Sequence, residues 1–165
     1  MLQISQTFCN FTIAKTIRNQ YFSNLLNIKY IMVQVITREW EIAKTYIYEV
    51  ALRDGMIRLD WNDFEMKAWK SKPAVAVKVD EPLGISEMSV KAIDEIKKNI
   101  NNTLSSVIII ISYKKDQPLM MDELGGMNEC LSRLAEEDVE INWGVQEADE
   151  ITNSRSMTVF AFEKL

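Results

Sequence analysis

Two carboxylates three residues apart, Asp60 and Asp63, are the side chains whose type and spacing best suit chemistry. A carboxylate can orient a water molecule for attack on a phosphoryl group, a reaction that depends on placement and control of charge. The same spacing also suits a helix N-cap, in which a side-chain oxygen accepts a backbone N–H and an acid complements the helix dipole. From the residues alone we favour the cap.

The composition argues against metal sites, disulfides and histidine-based catalysis. The chain has no histidine, which removes the commonest general base and zinc ligand. The acids at 136–138 and 149–150 lack the alternating spacing of a calcium loop, so they are expected to form solvated turns. Cys9 and Cys130 are too few for a disulfide framework and indicate a reducing, cytoplasmic location. We therefore expect no metal and no cofactor.

The charge distribution argues against two classes of partner. The first 38 residues contain no acid, so the remainder holds 15 of the 19 basic residues and all 24 acidic ones. Such an acidic body has little to neutralise phosphates, and we expect no nucleic-acid partner. No apolar run approaches the roughly 20 residues of a membrane helix, and we expect no membrane partner.

Residues 1–31 form an extension with two open interpretations. Their apolar residues follow no firm period, and they include no acid. This composition suits an organellar transit peptide, but such peptides are usually richer in Arg and Ser. We favour an upstream extension that precedes the true start at Met32.

The aspartates are expected in a loop between two helices. Thr37 is a plausible N-cap and Gly55 a plausible C-cap of a long helix. Its apolar face would consist of Trp40, Ala43, Ile47, Val50 and Ala51. A shorter helix is predicted after Asp63, ending at Pro73. Residues 32–72 are therefore assigned to a long helix, a loop and a short helix.

The segment 73–165 is predicted to be a separate domain. Its patterned stretches are strands at 74–79, 107–111, 140–146 and 156–163, a helix capped by Ser86, and a helix through 124–134 that contains Gly125 and Gly126. The five β-branched residues at 107–111 are typical of a strand covered on both faces. The order β-α-β-α-β-β predicts an α/β (α+β) two-layer sandwich, a four-stranded sheet with two helices on one face.

Three segments together resemble FtsZ, the bacterial tubulin homologue. Residues 55–64 (GMIRLDWNDF) resemble the loop after the central helix of that family. Residues 136–145 (EEDVEINWGV) resemble its acidic turn and following strand, and residues 157–161 (MTVFA) its closing strand. The resemblance covers about residues 37–163 and implies the C-terminal domain of an FtsZ/tubulin protein with the preceding central helix.

The resemblance implies a role for the loop in binding a partner. In the family, the aspartates that match Asp60 and Asp63 enter the GTP pocket of the neighbouring subunit and help to position the attacking water. The same loop supplies the expected partner-binding residues Arg58, Asp60, Trp61, Asn62 and Asp63. Arg58 stands where the family has Asn, so a cation would face the neighbour's phosphates.

The half of FtsZ that holds the nucleotide has no counterpart. The chain has five glycines, and none clusters between a strand and a helix to cradle phosphates. We therefore expect a cytoskeletal, cell-division protein that associates with an FtsZ-type partner or with itself and modulates polymerisation without its own GTPase. Two alternatives stay open: a functionless remnant of a truncated gene, and the activating half of a split GTPase that completes a site in trans.

Overall fold

The computed structural model describes residues 33–38, as backbone only, and residues 51–165. The strands are β1 (Val33–Arg38), β2 (Ser71–Val79), β3 (Leu104–Tyr113), β4 (Glu140–Glu147) and β5 (Arg155–Lys164). The helices are α1 (Trp61–Lys70), α2 (Ile85–Asn99), α3 (Met121–Leu124) and α4 (Asn128–Glu136), with a 3₁₀ turn at Gly125–Met127 between the last two.

The strands form one mixed sheet in the order β1-β2-β5-β3-β4. Strand β5 is antiparallel to both of its neighbours, whereas β3 and β4 are parallel. The four predicted strands are all present, and the predicted α/β sandwich is confirmed. A fifth strand, β1, pairs antiparallel with β2.

The sheet is covered on both faces. Alternation along β3 sends Val107, Ile109 and Ile111 to one face and Ile108 and Ile110 to the other, and all five are buried. Helices α2 and α4 pack on the first face, as expected for the two predicted helices. Helix α1 packs on the second face. The central position predicted for residues 107–111 is correct.

Helix α1 is anchored to the second face by one aromatic side chain. The ring of Phe64 is fully buried and meets the ring of Phe160 edge to face, with centroids 5.3 Å apart and planes at 89°. This is the preferred geometry for an aromatic pair, because it brings a positive ring edge to a negative ring face. The helix ends at Lys70, before Pro73, which lies inside β2 where the register with β5 shifts. Proline is tolerated in a strand at such an irregularity.

The expected long helix is wrong at both ends. Thr37 lies in β1, opposite Ala76 of β2, and is therefore no helix cap. Residues 51–54 are not helical, so Gly55 is no C-cap either. The body of the expected helix, with Trp40, lies outside the described residues, as does the extension 1–31.

Two smaller corrections concern the other helices. The N-cap of α2 is Gly84 rather than Ser86, and the Glu87 carboxylate accepts the Gly84 N–H at 3.1 Å. The paired glycines interrupt the last helix with the 3₁₀ turn. A Cβ on Gly126 would come 3.1 Å from the backbone nitrogen of Ser86, whereas one on Gly125 would meet nothing within 4 Å.

The substitutions Gly55→Ala and Gly125→Ala should change stability in opposite directions. A Cβ on Gly55 would lie 2.1 Å from the Val145 carbonyl oxygen, and a paired backbone cannot yield cheaply. Gly55→Ala is expected to lower the free energy of unfolding by about 1–3 kcal/mol. Gly125 has a helical φ, and a Cβ there would meet no other atom within 4 Å. Gly125→Ala should therefore raise the free energy of unfolding by about 0.4–1 kcal/mol. Urea unfolding at equilibrium measures both, and equal midpoints for the two variants would contradict the described backbone contact.

Candidate functional site

The segment before α1 runs along the outer edge of β4. Ile57 forms an antiparallel bridge with Val145, with N–H to O=C distances of 3.2 and 2.8 Å. Further back, the Asp54 carbonyl accepts the Glu147 N–H at 3.0 Å. The Leu59 side chain lies directly over Gly144, where a Cβ would come within 2.8 Å of it. Two segments that resemble FtsZ, 55–64 and 136–145, are thus in backbone contact.

The two aspartates form a reciprocal helix cap. The Asp60 Oδ1 accepts the Asp63 N–H at 3.1 Å, and the Asp63 Oδ2 accepts the Asp60 N–H at 2.8 Å. The other oxygen of Asp63 accepts the side-chain N–H of Asn142 at 3.0 Å. The cap favoured from the residues alone is therefore present, and it ties the start of α1 to β4.

The carboxylates of Asp60 and Asp63 differ in how many of their oxygens accept hydrogen bonds. Both oxygens of Asp63 accept hydrogen bonds, and this side chain is half-buried. Within residues 51–165, no hydrogen bond or ion pair engages Asp60 Oδ2, and Asp60 is exposed. Of the two, Asp60 is the one with an oxygen available to a water molecule or a partner.

The remaining predicted partner-binding residues differ in how exposed they are to solvent. Arg58 is 71% exposed and forms an ion pair of 2.5 Å with Asp54, four residues earlier. Such an exposed pair contributes little to stability and can exchange for a partner's anion. Asn62 is exposed, whereas Trp61 is half-buried against the core of the second face.

An open cavity of about 200 Å³ lies between α1 and β4. Its lining consists of Asn62, Asp63, Met66, Lys67, Lys70, Glu140 and Asn142. The ammonium of the buried Lys67 lies 2.5 Å from Glu140, and this hydrogen bond holds the pKa of the Glu140 carboxyl below its ordinary value. The cavity thus has one internal ion pair and one further cation, Lys70.

The cavity was not predicted from the sequence, although the spacing of three residues in the sequence indicates it. Asn62, Met66 and Lys70 recur every four residues and so share one side of α1. Met66 is 46% exposed and Trp69 is 78% exposed, so α1 presents two large apolar side chains to solvent. The exposure of Trp69 excludes it from the core.

The described part of the structure brings together no set of metal ligands. No group of three or more Cys, Asp or Glu side chains there is placed to hold a metal ion. Trp61 and Trp143 pack against opposite faces of the sheet, and Trp69 points to solvent. Cys130 is buried, and burial raises the pKa of its thiol. Among the described helices, none is long and apolar enough to cross a membrane.

Comparison with known proteins gives two partial structural likenesses. No protein-family model matches the chain, and no curated protein matches it. An FtsZ dimer of M. jannaschii superposes over 66% of this chain and 32% of its own, at 12% identity and a TM-score of 0.42. Thiamine monophosphate kinase of Aquifex aeolicus superposes over 62% and 39%, at 11% identity and a TM-score of 0.36.

The chain spans only 32% of the length of the first of these proteins and 39% of the second. The likenesses fall on proteins of different kinds, and neither assigns an activity to this chain. Neither likeness supports a conclusion about the family of this chain, and membership of the FtsZ/tubulin family stays a prediction.

The two cap residues should respond differently to substitution. Asp63→Ala removes the acceptor for both Asp60 N–H and Asn142, and it should lower the free energy of unfolding by about 1–2 kcal/mol. Asp60→Asn keeps an oxygen for the Asp63 N–H, and Asn caps as well as Asp, so it should change stability by less than about 0.5 kcal/mol. Urea titration distinguishes them. A larger loss for Asp60→Asn would contradict the cap.

The pair of Lys67 and Glu140 should make stability depend on pH. Because the folded pKa of Glu140 lies below its ordinary value of 4.5, the pair stabilises the fold above that value. This stability is lost as pH falls through the lower folded pKa. Glu140 is 61% exposed, so Glu140→Gln should cost only about 0.5–1 kcal/mol at neutral pH.

Urea midpoints of wild type and Glu140→Gln measured across acidic and neutral pH test this dependence. The two proteins should converge below the folded pKa of Glu140. A difference that stays constant with pH would show that the ion pair contributes nothing.

Proposed function

We propose that this chain is a protein-binding domain that associates with an FtsZ-type partner and modulates its polymerisation in cell division, in the cytoplasm and without a GTPase of its own. The observation that supports it is the joining of 55–64 to 136–145. These segments resemble FtsZ separately in the sequence, and in the fold they form one surface through the bridge of Ile57 and Val145.

The exposed groups of this surface suit an anionic site on the partner. Arg58 projects beside the cap with its side chain 71% exposed, and Asp60 and Asn62 are exposed next to it. A guanidinium that leaves Asp54 for a phosphate forms stronger, charge-assisted hydrogen bonds. Docking of this loop on the nucleotide face of an FtsZ-type subunit would end a filament, because the chain has no glycine-rich phosphate cradle to receive the next subunit.

The cap also bears on the split-GTPase alternative. A carboxylate that positions water in trans needs an oxygen free of internal hydrogen bonds. Asp63 uses both of its oxygens inside the fold, so Asp60 is the better candidate for that role. Hydrolysis in a mixed assembly that Asp60→Asn abolishes would favour the split enzyme over capping.

Arg58→Ala should weaken the effect on the partner's filaments. Wild type is expected to shorten polymers of the source organism's FtsZ at substoichiometric amounts and to lower GTP turnover. Loss of one charge-assisted contact of about 1.5 kcal/mol corresponds to roughly tenfold weaker capping. The loss should be greater in low salt, because salt screens the contact in wild type. Light scattering and phosphate release measure polymer mass and turnover.

Arg133→Ala is the matched control. Arg133 also forms an exposed ion pair with an acid four residues earlier, Glu129, at 2.9 Å, but it lies on α4 on the opposite side of the sheet. Because of this position, the Arg133→Ala variant should cap filaments as wild type does. If wild type alters neither polymer mass nor turnover at equimolar ratio, the capping proposal fails and the remnant becomes the better explanation.

A further inference from the structure

Helix α1 presents a stripe of apolar, amide and basic side chains on its exposed side. The α1 stripe consists of Asn62, Met66, Trp69 and Lys70, which are all exposed. Their spacing of four, three and one residues places them within about 100° of the helix circumference. Phe64 lies on the opposite side of the helix and anchors it in the core of the second face. The α1 stripe is therefore carried by a helix that is already fixed.

Lys70 is a cation without an acidic partner in the described part of the chain. No ion pair engages it among those residues. Helix α2 also ends in two lysines, Lys97 and Lys98, but both of these form ion pairs, at 2.6 and 3.2 Å. The ammonium of Lys70 is thus available to an anion from outside.

The acids nearest to Lys70 in the cavity are already bonded inside the fold. Glu140 forms the 2.5 Å ion pair with the buried Lys67, and both oxygens of Asp63 accept hydrogen bonds. The hydrogen bond from Lys67 lowers the pKa of the Glu140 carboxyl, and the charge of Lys70 adds to this effect. Two ammonium groups therefore act on one carboxylate, which leaves positive charge for a carboxylate of a partner.

The extent of the α1 stripe favours a peptide over a small anion. The cavity of about 200 Å³ is lined by Met66 and Lys70 but not by Trp69. A ligand confined to the cavity would leave the Trp69 side chain, which is 78% exposed, in water. A segment that reaches from the cavity across Trp69 would bury an aromatic side chain of the kind that dominates binding energies.

The charge of the rest of the chain favours a short partner segment over an extended anionic surface. Residues 39–165 include 24 acidic and 15 basic residues. A membrane or a nucleic acid would face this acidic body as well as Lys70 and would be repelled by it. A short segment near Lys70 experiences mainly the charges within a screening length of about 8 Å.

We propose that the α1 stripe binds a short acidic segment of a partner protein that carries a large apolar side chain. A carboxylate of this segment pairs with Lys70, and its apolar side chain packs against Met66 and Trp69. Asn62 offers both a donor and an acceptor to the backbone of the segment. This inference goes beyond the FtsZ-type partner, because it uses the α1 stripe rather than Arg58.

Selection from a random peptide library displayed on phage, with the full chain as the target, tests the chemistry of the partner. Enriched peptides should combine acidic residues with an aromatic or large aliphatic one. The most enriched peptide, synthesised with a fluorescent label, is then titrated by fluorescence anisotropy. Its affinity should fall as salt is added, because salt screens the contact with Lys70.

Two variants and a matched control locate the binding site. Lys70→Ala should weaken peptide binding at least about tenfold, and Trp69→Ala about 30-fold. Lys98→Ala is the control, because Lys98 is also an exposed lysine in the last turn of a helix but lies on α2, on the other face of the sheet. It should bind the peptide as wild type does. All three side chains are exposed, so the variants should remain folded, which urea unfolding checks.

The proposal is overturned if no peptide is enriched, if the enriched peptides lack acids, or if Lys70→Ala and Lys98→Ala bind the peptide equally well. Sedimentation with phosphatidylserine vesicles tests the membrane alternative. Vesicle binding that Trp69→Ala abolishes would assign the α1 stripe to a membrane and would also overturn the proposal. These assays contain no FtsZ, so their outcome is distinct from that of the capping experiment.

Discussion

The pairing of the segment before α1 with the outer edge of β4 depends on the close backbone contact at Gly55. Gly55 lies so close to Val145 and Gln146 that a Cβ would overlap the backbone of both. The missing side chain lets the segment at Ile57 bond to β4, and the same bridge fixes where α1 begins. Arg58 and Asp60 are exposed at a defined place because the chain on either side of them is held by backbone hydrogen bonds.

Helix α1 joins the core to the candidate surface. Its Phe64 is fully buried against Phe160, while Met66 and Trp69 on other sides of the same helix are largely exposed. Because the buried anchor and the buried Lys67 stabilise the helix without a partner, its exposed side chains are presented in a fixed arrangement. A preordered helix loses less conformational entropy on binding than a flexible segment does.

The sequence was most informative where the signal is local. Five β-branched residues in a row predicted the central position of β3, and Asp60 with Asp63 predicted the helix cap. Signals that need a distant partner were missed. Strand β1 is defined by its pairing with β2, so the helix cap assigned to Thr37 was wrong.

The remaining misses have the same cause. Lys67 forms an ion pair with Glu140, which lies far along the chain, and no local sequence pattern predicts such a contact. Gly55 was assigned a cap because a glycine after an apolar period usually is one. Its real constraint, the backbone of Val145, becomes visible only once β4 is in place.

The position of β5 between β2 and β3 has a consequence for folding. Both strands keep one edge of backbone groups unpaired until Arg155–Lys164 inserts between them. The centre of the sheet therefore depends on pairings between segments distant in sequence, which slows folding.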